Sequence, residues 1–298
     1  MKLILGSGLI GLLARKILGP SWTIIPYGRS RFFSFTPALD DNFVIRDNRL
    51  DDFMATLGAT PQHLYRISCS VGGVLLPPTA EIVEPWLDRV HGDDHPGHLK
   101  PLYSKRNVFS VYNIRLNELY SKLQKEYAQE IHAGIALGSL GAVDQESLTV
   151  GGKKYDNEGI ISTIPLDALL KSLNYSADGL ASKDCHIFHI ATNDLDFEGA
   201  NQIWSTEGHT FYKCNQIAPD RYVFYCDEDM TMPGAYFMQF MRRFDILDGT
   251  RIPNAIIQGS PPDIKFLKEN HNIRCIGSYA EWDPAMDVAT CLMRILSL

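Results

Sequence analysis

Leu3-Ile4-Leu5-Gly6-Ser7-Gly8-Leu9-Ile10-Gly11 is the stretch on which the reading of this 298-residue chain turns. Residues 2–5 form an apolar run that predicts a short buried strand. Leu9–Leu18 carries its apolar residues at helical spacing until Gly19-Pro20 ends it. The three glycines stand between strand and helix, and each has a separate job. Gly6 permits the tight turn, Gly8 lets a pyrophosphate approach the backbone, and Gly11 lets helix and sheet pack closely. Unsatisfied amides at the helix start would then stabilise phosphate charge. A second strand is predicted at Trp22–Ile25, so the chain opens as strand–turn–helix–strand, a dinucleotide-binding arrangement. The competing reading is an accidental glycine cluster in a packed helix.

The acid that usually binds a ribose at the end of the second strand is missing. Pro26, Tyr27 and Gly28 occupy its place, with Arg29 and Arg31 just beyond. Tyr27, Arg29 and Arg31 are therefore candidates for contacts near adenosine or pyrophosphate. The alternative is a surface turn bearing two solvated arginines.

Further along, the sequence predicts an amphipathic helix over 113–127 and strand-like pieces at 130–137 and 147–150, the latter turning at Gly151-Gly152. An apolar strand is expected at 159–163, and a helix with proline in its first turn at 165–173. Antiparallel strands follow at 184–193, 209–216 and 221–226, and helices at 238–244 and 264–268. The chain closes with a strand at 273–276, a loop at 277–284 and a helix at 286–296. Strands near residues 3, 24, 161 and 275 are expected to form one parallel sheet from distant parts of the chain.

These motifs resemble, in their order, the glutathione-reductase-type FAD enzymes, especially the flavin amine oxidase, protoporphyrinogen oxidase and UDP-galactopyranose mutase branch. The likeness rests on the glycine fingerprint, on Gly159-Ile160-Ile161-Ser162-Thr163-Ile164-Pro165-Leu166, and on the terminal stretch Ile273 to Asp287. It implies an α/β fold: a Rossmann-like FAD-binding domain with a parallel central sheet, plus a reduced mixed α+β substrate lobe. The FAD-binding domain is expected from residues 1–36, 115–170 and 270–298, and the lobe from 37–114 and 171–269. FAD is the implied cofactor, held by Gly6, Ser7, Gly8, Leu9, Ile10 and Gly11, with Leu140 at the adenine and Thr163 in the middle motif. Gly277 and Ser278 would face the ribityl chain and phosphate. The amides of Met286 and Asp287 would face the flavin N1/O2 edge, where negative charge develops on reduction.

Candidates for the chemistry are fewer. Tyr279 and Trp282 lie in the terminal motif and would line the flavin ring, the alternative being a core or lobe contact. Tyr212, Tyr222, Tyr225 and Tyr236 come from the second lobe, where alternation makes some of them ordinary sheet residues. Arg242-Arg243 can bind a carboxylate or phosphate through the arginine fork, or can be a solvated helix end. His209 orients substrate or is a plain strand histidine. His91, His95 and His98 with Asp93 and Asp94 invite a metal, but the run holds two prolines and no zinc motif; a wet exposed loop over 91–101 is the expectation, and no metal is assigned.

Bulk properties set outer limits. Lys and Arg total 28 against 35 Asp and Glu, a formal charge of −7, so nucleic acid is not attracted by bulk electrostatics, although a local basic cleft remains open. Six scattered cysteines without a CxxC pair predict buried free thiols. The apolar run 3–13 is broken by glycines, closed by Arg15-Lys16 and too short to span a bilayer, so a cytoplasmic protein without membrane contact is expected.

The resemblance implies an FAD-dependent oxidoreductase acting on a C–N bond of an amine or amino-acid group, by hydride transfer to flavin N5 and imine hydrolysis. The substrate is a small amine or an amino-acid-bearing molecule. Some viral flavoenzymes of this broad type cleave an amino acid already attached to a DNA base, and nucleic acid becomes a partner in that case. The alternatives are a mutase-like non-redox flavin enzyme acting on a nucleotide sugar, and a non-catalytic FAD-binding protein.

Overall fold

The computed structural model describes residues 1–26, 43–132, 140–193, 195, 198–206, 211–227 and 244–298, with the backbone alone at 62, 63, 132, 253 and 254. Along the chain run β1 (Lys2–Leu5), α1 (Leu9–Leu18), β2 (Trp22–Ile25), β3 (Val44–Ile45), α2 (Asp51–Thr56), β4 (Thr60–Val71), β5 (Val74–Leu76), α3 (Ala80–His91), α4 (Leu99–Tyr103), β6 (Val108–Asn113), α5 (Leu116–Glu126) and α6 (Ala128–His132). There follow β7 (Leu140–Val143), β8 (Ser147–Val150), β9 (Lys153–Asp156), β10 (Gly159–Ser162), α7 (Leu166–Ser172), β11 (Ala181–Ala191), β12 (Gln202–Ser205), β13 (Lys213–Ala218), β14 (Arg221–Asp227) and β15 (Asp245–Gln258). The last elements are α8 (Lys265–His271), β16 (Ile273–Cys275), α9 (Ser278–Glu281) and α10 (Val288–Leu296).

Four strands make a parallel sheet in the order β16-β10-β1-β2, the sheet expected from the sequence. Lys2 aligns with Trp22 on one side and Gly159 on the other, and Ile160 aligns with Ile273. Both faces of this sheet are covered, which is why its strands read as unbroken apolar runs. Ile4 and Ile161 pack against α1 and α10 through Ala14, Met286, Cys291 and Ile295. Leu3, Leu5 and Ile160 face the opposite way, onto Leu148 and Val150 of the antiparallel β7-β8-β9 meander and Leu166 and Leu169 of α7.

The second sheet is mixed and has nine strands among the described residues, in the order β15-β11-β14-β13-β12-β4-β6-β3 with β5 beside β4. β12 runs parallel to β4 while its other pairings are antiparallel. One face packs on α3 and α4, where Trp86 stacks on Trp204 at 4.7 Å and Tyr103 meets Trp204 edge-on at 5.3 Å. Tyr212 and Tyr225 lie in this core, while Tyr222 packs with Phe224 and Cys214 on the other face. All six cysteines are free thiols, five of them buried. No helix among the described residues is long and apolar enough to cross a membrane.

Three local expectations differ from the structure. Residues 130–132 belong to a helix, not a strand, because Ile131 N–H donates to the Tyr127 carbonyl and Arg15 of α1 holds Glu130 by two bonds of 2.7 and 2.9 Å. The segment 91–101 is less exposed than its composition suggests: His91 is buried, His95 is largely covered, and its end enters α4. The long strand β15 was not legible at all. Gly249 and Pro253 interrupt its pattern, and a register shift opposite Asp184 absorbs the proline, which an edge strand tolerates.

Candidate functional site

The glycine turn sits at the carboxyl end of β1, where ligands of parallel α/β sheets bind. Gly6 has φ +111°, and a side chain there would meet Thr163 Oγ1 at 2.5 Å. A Cβ on Gly11 would lie 2.1 Å from the Gly6 carbonyl oxygen, so α1 is packed against the turn itself. Gly8 is different: nothing lies within 4 Å of its would-be Cβ. Gly6 is thus closed by the Thr163 side chain and Gly11 by backbone, while the middle glycine opens outward.

Thr163, just past the end of β10, braces this turn, donating through Oγ1 (3.0 Å) and through its amide (2.8 Å) to the Leu5 carbonyl. The Gly6 amide is spent on Ile25 O at 2.8 Å. The next amides, of Ser7, Gly8, Leu9, Ile10 and Gly11, have no hydrogen-bond partner among the described residues, and Gly8 caps the helix without a side-chain bond. Free amides at a helix start, beside a glycine with no side chain, form an anion cradle. Leu140 is buried on β7 in the core between the meander and the parallel sheet.

The terminal motif lies across the neighbouring strand ends. Gly277 (φ +128°) starts the short helix α9, which carries Ser278 and Tyr279, and Trp282 ends it with φ +56°. Tyr279 is turned inward: its hydroxyl donates to Ala255 O on β15 at 2.5 Å, and burial holds the phenol above its ordinary pKa. Trp282 is buried in the core beneath the sheet with Leu3, Leu5 and Ile164, and its indole N–H has no partner among the described residues. The amides of Met286 and Asp287 donate to Asp283 O (3.2 Å) and Ala285 O (3.0 Å) inside the motif. Among the described residues, the amides without a partner at this end are those of Val288 and Ala289, since Thr290 N–H donates to the Asp287 carboxylate at 2.8 Å.

Several contributors were not legible in the sequence. Glu281 Oε1, Ser162 Oγ and Trp282 Nε1 are buried polar atoms without hydrogen bonds among the described residues, the first and last at the end of α9 and Ser162 at the end of β10. Such orphans mark places where a polar group from outside completes the bonding. Burial raises the Glu281 carboxyl above the usual range, although Arg294 pairs with it, and burial together with the Glu281 charge pushes the Cys275 thiol up to about 12. Arg106, between α4 and β6, reaches Asp287 at 3.0 Å and lies over the Tyr103 ring at 4.9 Å. Only the spacing of acids in the terminal motif could have hinted at these pairings, and nothing local names the partner. Tyr27, Arg29, Arg31, His209, Tyr236, Arg242 and Arg243 lie outside the described residues.

No protein-family model matches this sequence, and no curated protein matches it. Solved structures do match. The reduced form of UDP-galactopyranose mutase superposes with a TM-score of 0.62 at 13% identity, over 99% of this chain and 94% of that one. An oxidoreductase from Methanosarcina mazei gives 0.61 at 10% identity, with 100% of both chains covered. The chain has the Rossmann-like α/β fold of FAD-binding oxidoreductases. A fatty acid isomerase from P. acnes that produces CLA has it as well, with a TM-score of 0.56 at 9% identity over 99% of this chain and 97% of that one. Across this set the shared property is the fold.

The glycine turn fits the cofactor that the fold implies. Pyrophosphate needs free amides and a side-chain-free approach, and residues 7–11 offer both.

Proposed function

We propose that this chain is an FAD-dependent oxidoreductase acting on a C–N bond of an amine or amino-acid group. The observation that carries the cofactor is the glycine turn, with five amides unpartnered among the described residues and open space beside Gly8. Residues 1–36, 115–170 and 270–298 would hold FAD, and 37–114 and 171–269 would shape the substrate side. Ser7 to Gly11 bind the pyrophosphate, Thr163 keeps their turn rigid, and Leu140 borders the adenine. Gly277 and Ser278 approach the ribityl chain. The amides of Val288 and Ala289 turn the positive end of α10 toward the flavin ring, next to the turn closed by Met286 and Asp287. Tyr279 and Trp282 form the buried wall behind it.

FAD, when bound, supplies the two-electron acceptor that side chains lack. The substrate carbon gives up its hydrogen with two electrons and the nitrogen gives up a proton. Water then cleaves the resulting imine to a carbonyl and a free amine. His209, Arg242 and Arg243 are proposed as substrate contacts, the arginines for a carboxylate or phosphate. Where the amino group is glycine already attached to a DNA base, the products are glyoxylate and an amino-bearing base.

The fold likeness to UDP-galactopyranose mutase keeps a second reading, in which the flavin acts without net redox change on a nucleotide sugar. Anaerobic mixing of the purified yellow protein with amines, amino acids and glycine-modified DNA separates the two. Loss of the visible flavin band on mixing supports oxidation. A reaction that runs only after the flavin is reduced, on a nucleotide sugar, supports the mutase-like chemistry and overturns the C–N reading.

A further inference from the structure

Away from the glycine turn, the sheet-covering helix α3 presents Glu84 and Asp88 at an i,i+4 spacing, on one face of the helix. The chain leaves α3 at Gly92, turns back with His95 N–H bonded to Gly92 O (3.1 Å), and is pinned where Ser260 Oγ donates to Asp94 O (2.9 Å). This turn carries His95 back over the helix. Its side chain is only 6% exposed, and Nε2 lies 3.3 Å from Asp88 Oδ1 and 4.0 Å from Glu84 Oε1. Nδ1 stands 3.3 Å from the Pro96 carbonyl oxygen. One ligand atom from each of the three residues falls within 4.8 Å of the others.

Both ring nitrogens of a covered histidine thus face oxygens that can only accept. A neutral imidazole has one donor and one acceptor, so either tautomer leaves a lone pair against an oxygen. A cation held by Nε2 and the two carboxylates resolves this contradiction. The distances suit the cation. Bonds of about 2.0–2.2 Å to a tetrahedral zinc place ligand atoms about 3.4 Å apart. The His95–Asp88 separation of 3.3 Å already has that value, and a small rotation of Glu84 closes the remaining gap. With Nδ1–H donated to Pro96 O, the tautomer that exposes the Nε2 lone pair is fixed, the outer-sphere arrangement of ligating histidines. Lys100 Nζ forms an ion pair with Glu84 Oε2 at 3.0 Å, an oxygen that makes no hydrogen bond among the described residues, and Oε1 is the oxygen nearer His95.

We propose that Glu84, Asp88 and His95 form a binding site for a divalent cation of the zinc, cobalt or manganese class. One imidazole and two carboxylates suit these ions better than calcium or magnesium, which prefer oxygen alone. Three protein ligands leave a coordination position for water. A few residues further on, His98 meets Asp283 at 3.3 Å, Tyr103 donates to Pro284 O and Arg106 holds Asp287. A cation at His95 therefore braces the segment that grips the terminal motif.

The test uses the full chain, stripped of metal with a chelator and titrated with Zn²⁺ alone in a calorimeter. One equivalent should bind, His95→Gln and Asp88→Asn should each weaken that binding at least tenfold, and Lys100→Ala should strengthen it by removing a competing charge. Circular dichroism confirms that each variant is folded, and either ligand variant suffices if the other fails to fold. Absence of Zn²⁺ binding by the wild type, or binding unchanged in the folded ligand variants, overturns the proposal and leaves His95 as a covered side chain packed over α3.

Discussion

The Arg106 guanidinium and the Asp287 carboxylate meet at 3.0 Å although 181 residues separate them in the chain. Asp287 has two tasks at once. It caps α10 by accepting from Thr290 N–H and Thr290 Oγ1, both at 2.8 Å, and it anchors Arg106 to the start of that helix. The pair is mostly covered, with side-chain exposures of 15% and 24%, so its bonds are screened less than those of a surface pair.

Removing both partners should cost less than the sum of the two separate removals. Arg106→Ala and Asp287→Ala should each destabilise the fold by about 1–3 kcal/mol, since each breaks a charged hydrogen bond. Asp287→Ala also loses its cap, worth about 1 kcal/mol. Urea unfolding of the two single variants and the double variant should show favourable coupling. Additive losses would mean that the contact contributes nothing.

Two neighbouring glycines should respond in opposite ways. Gly8→Asp meets open space and should leave the fold intact while abolishing FAD retention, because a carboxylate would stand where phosphate must come. Gly11→Ala meets backbone at 2.1 Å and should destabilise the protein by about 1–3 kcal/mol through overpacking. Flavin absorbance after gel filtration, together with unfolding curves, reads both effects. Unchanged FAD occupancy in Gly8→Asp would remove the basis for the cofactor placement.

His91 should make stability depend on acid. Burial lowers its pKa from 6.5 to about 4, while its Nδ1 bonds Ile257 O at 2.8 Å. Above pH 6.5 the ring is neutral in both folded and unfolded chains, and no penalty arises. Between 6.5 and 4 the unfolded chain takes up a proton that the folded one refuses. Stability should therefore fall with pH across this window, by about 3 kcal/mol at most. Urea midpoints at several pH values should show His91→Gln losing less stability than wild type over the same interval.

Tyr279→Phe should cost about 1–2 kcal/mol by leaving the Ala255 carbonyl without its donor. The flavin spectrum should change little, because the hydroxyl is committed to β15 and not to a ligand. A large spectral shift with unchanged stability would place that hydroxyl at the ring instead.

The parallel sheet was readable because strands covered on both faces need apolar side chains at every position, as Leu3-Ile4-Leu5 and Ile160-Ile161 have. The edge strand β15 was not, since Pro253 and Gly249 break any alternation and among the described residues its register is set by the distant partner strand β11, from Ala181 to Ala191. The terminal motif was recognisable as a motif. Its sequence did not reveal that the Met286 and Asp287 amides close their own turn and leave those of Val288 and Ala289 without a partner among the described residues.

What the sequence determined by itself was the strand, glycine turn and helix over residues 2–18, because the apolar spacing and the three glycines that specify the unit lie within a few residues of chain, even though Ile25 and Thr163 complete its hydrogen bonds from elsewhere. The tertiary structure alone decided which side chains meet across the fold. Arg106 at Asp287, Tyr279 at Ala255 and His95 over Glu84 and Asp88 each depend on where other strands and turns deliver a partner. Partner choice of that kind is a property of packing in three dimensions, and no local pattern of residues encodes it.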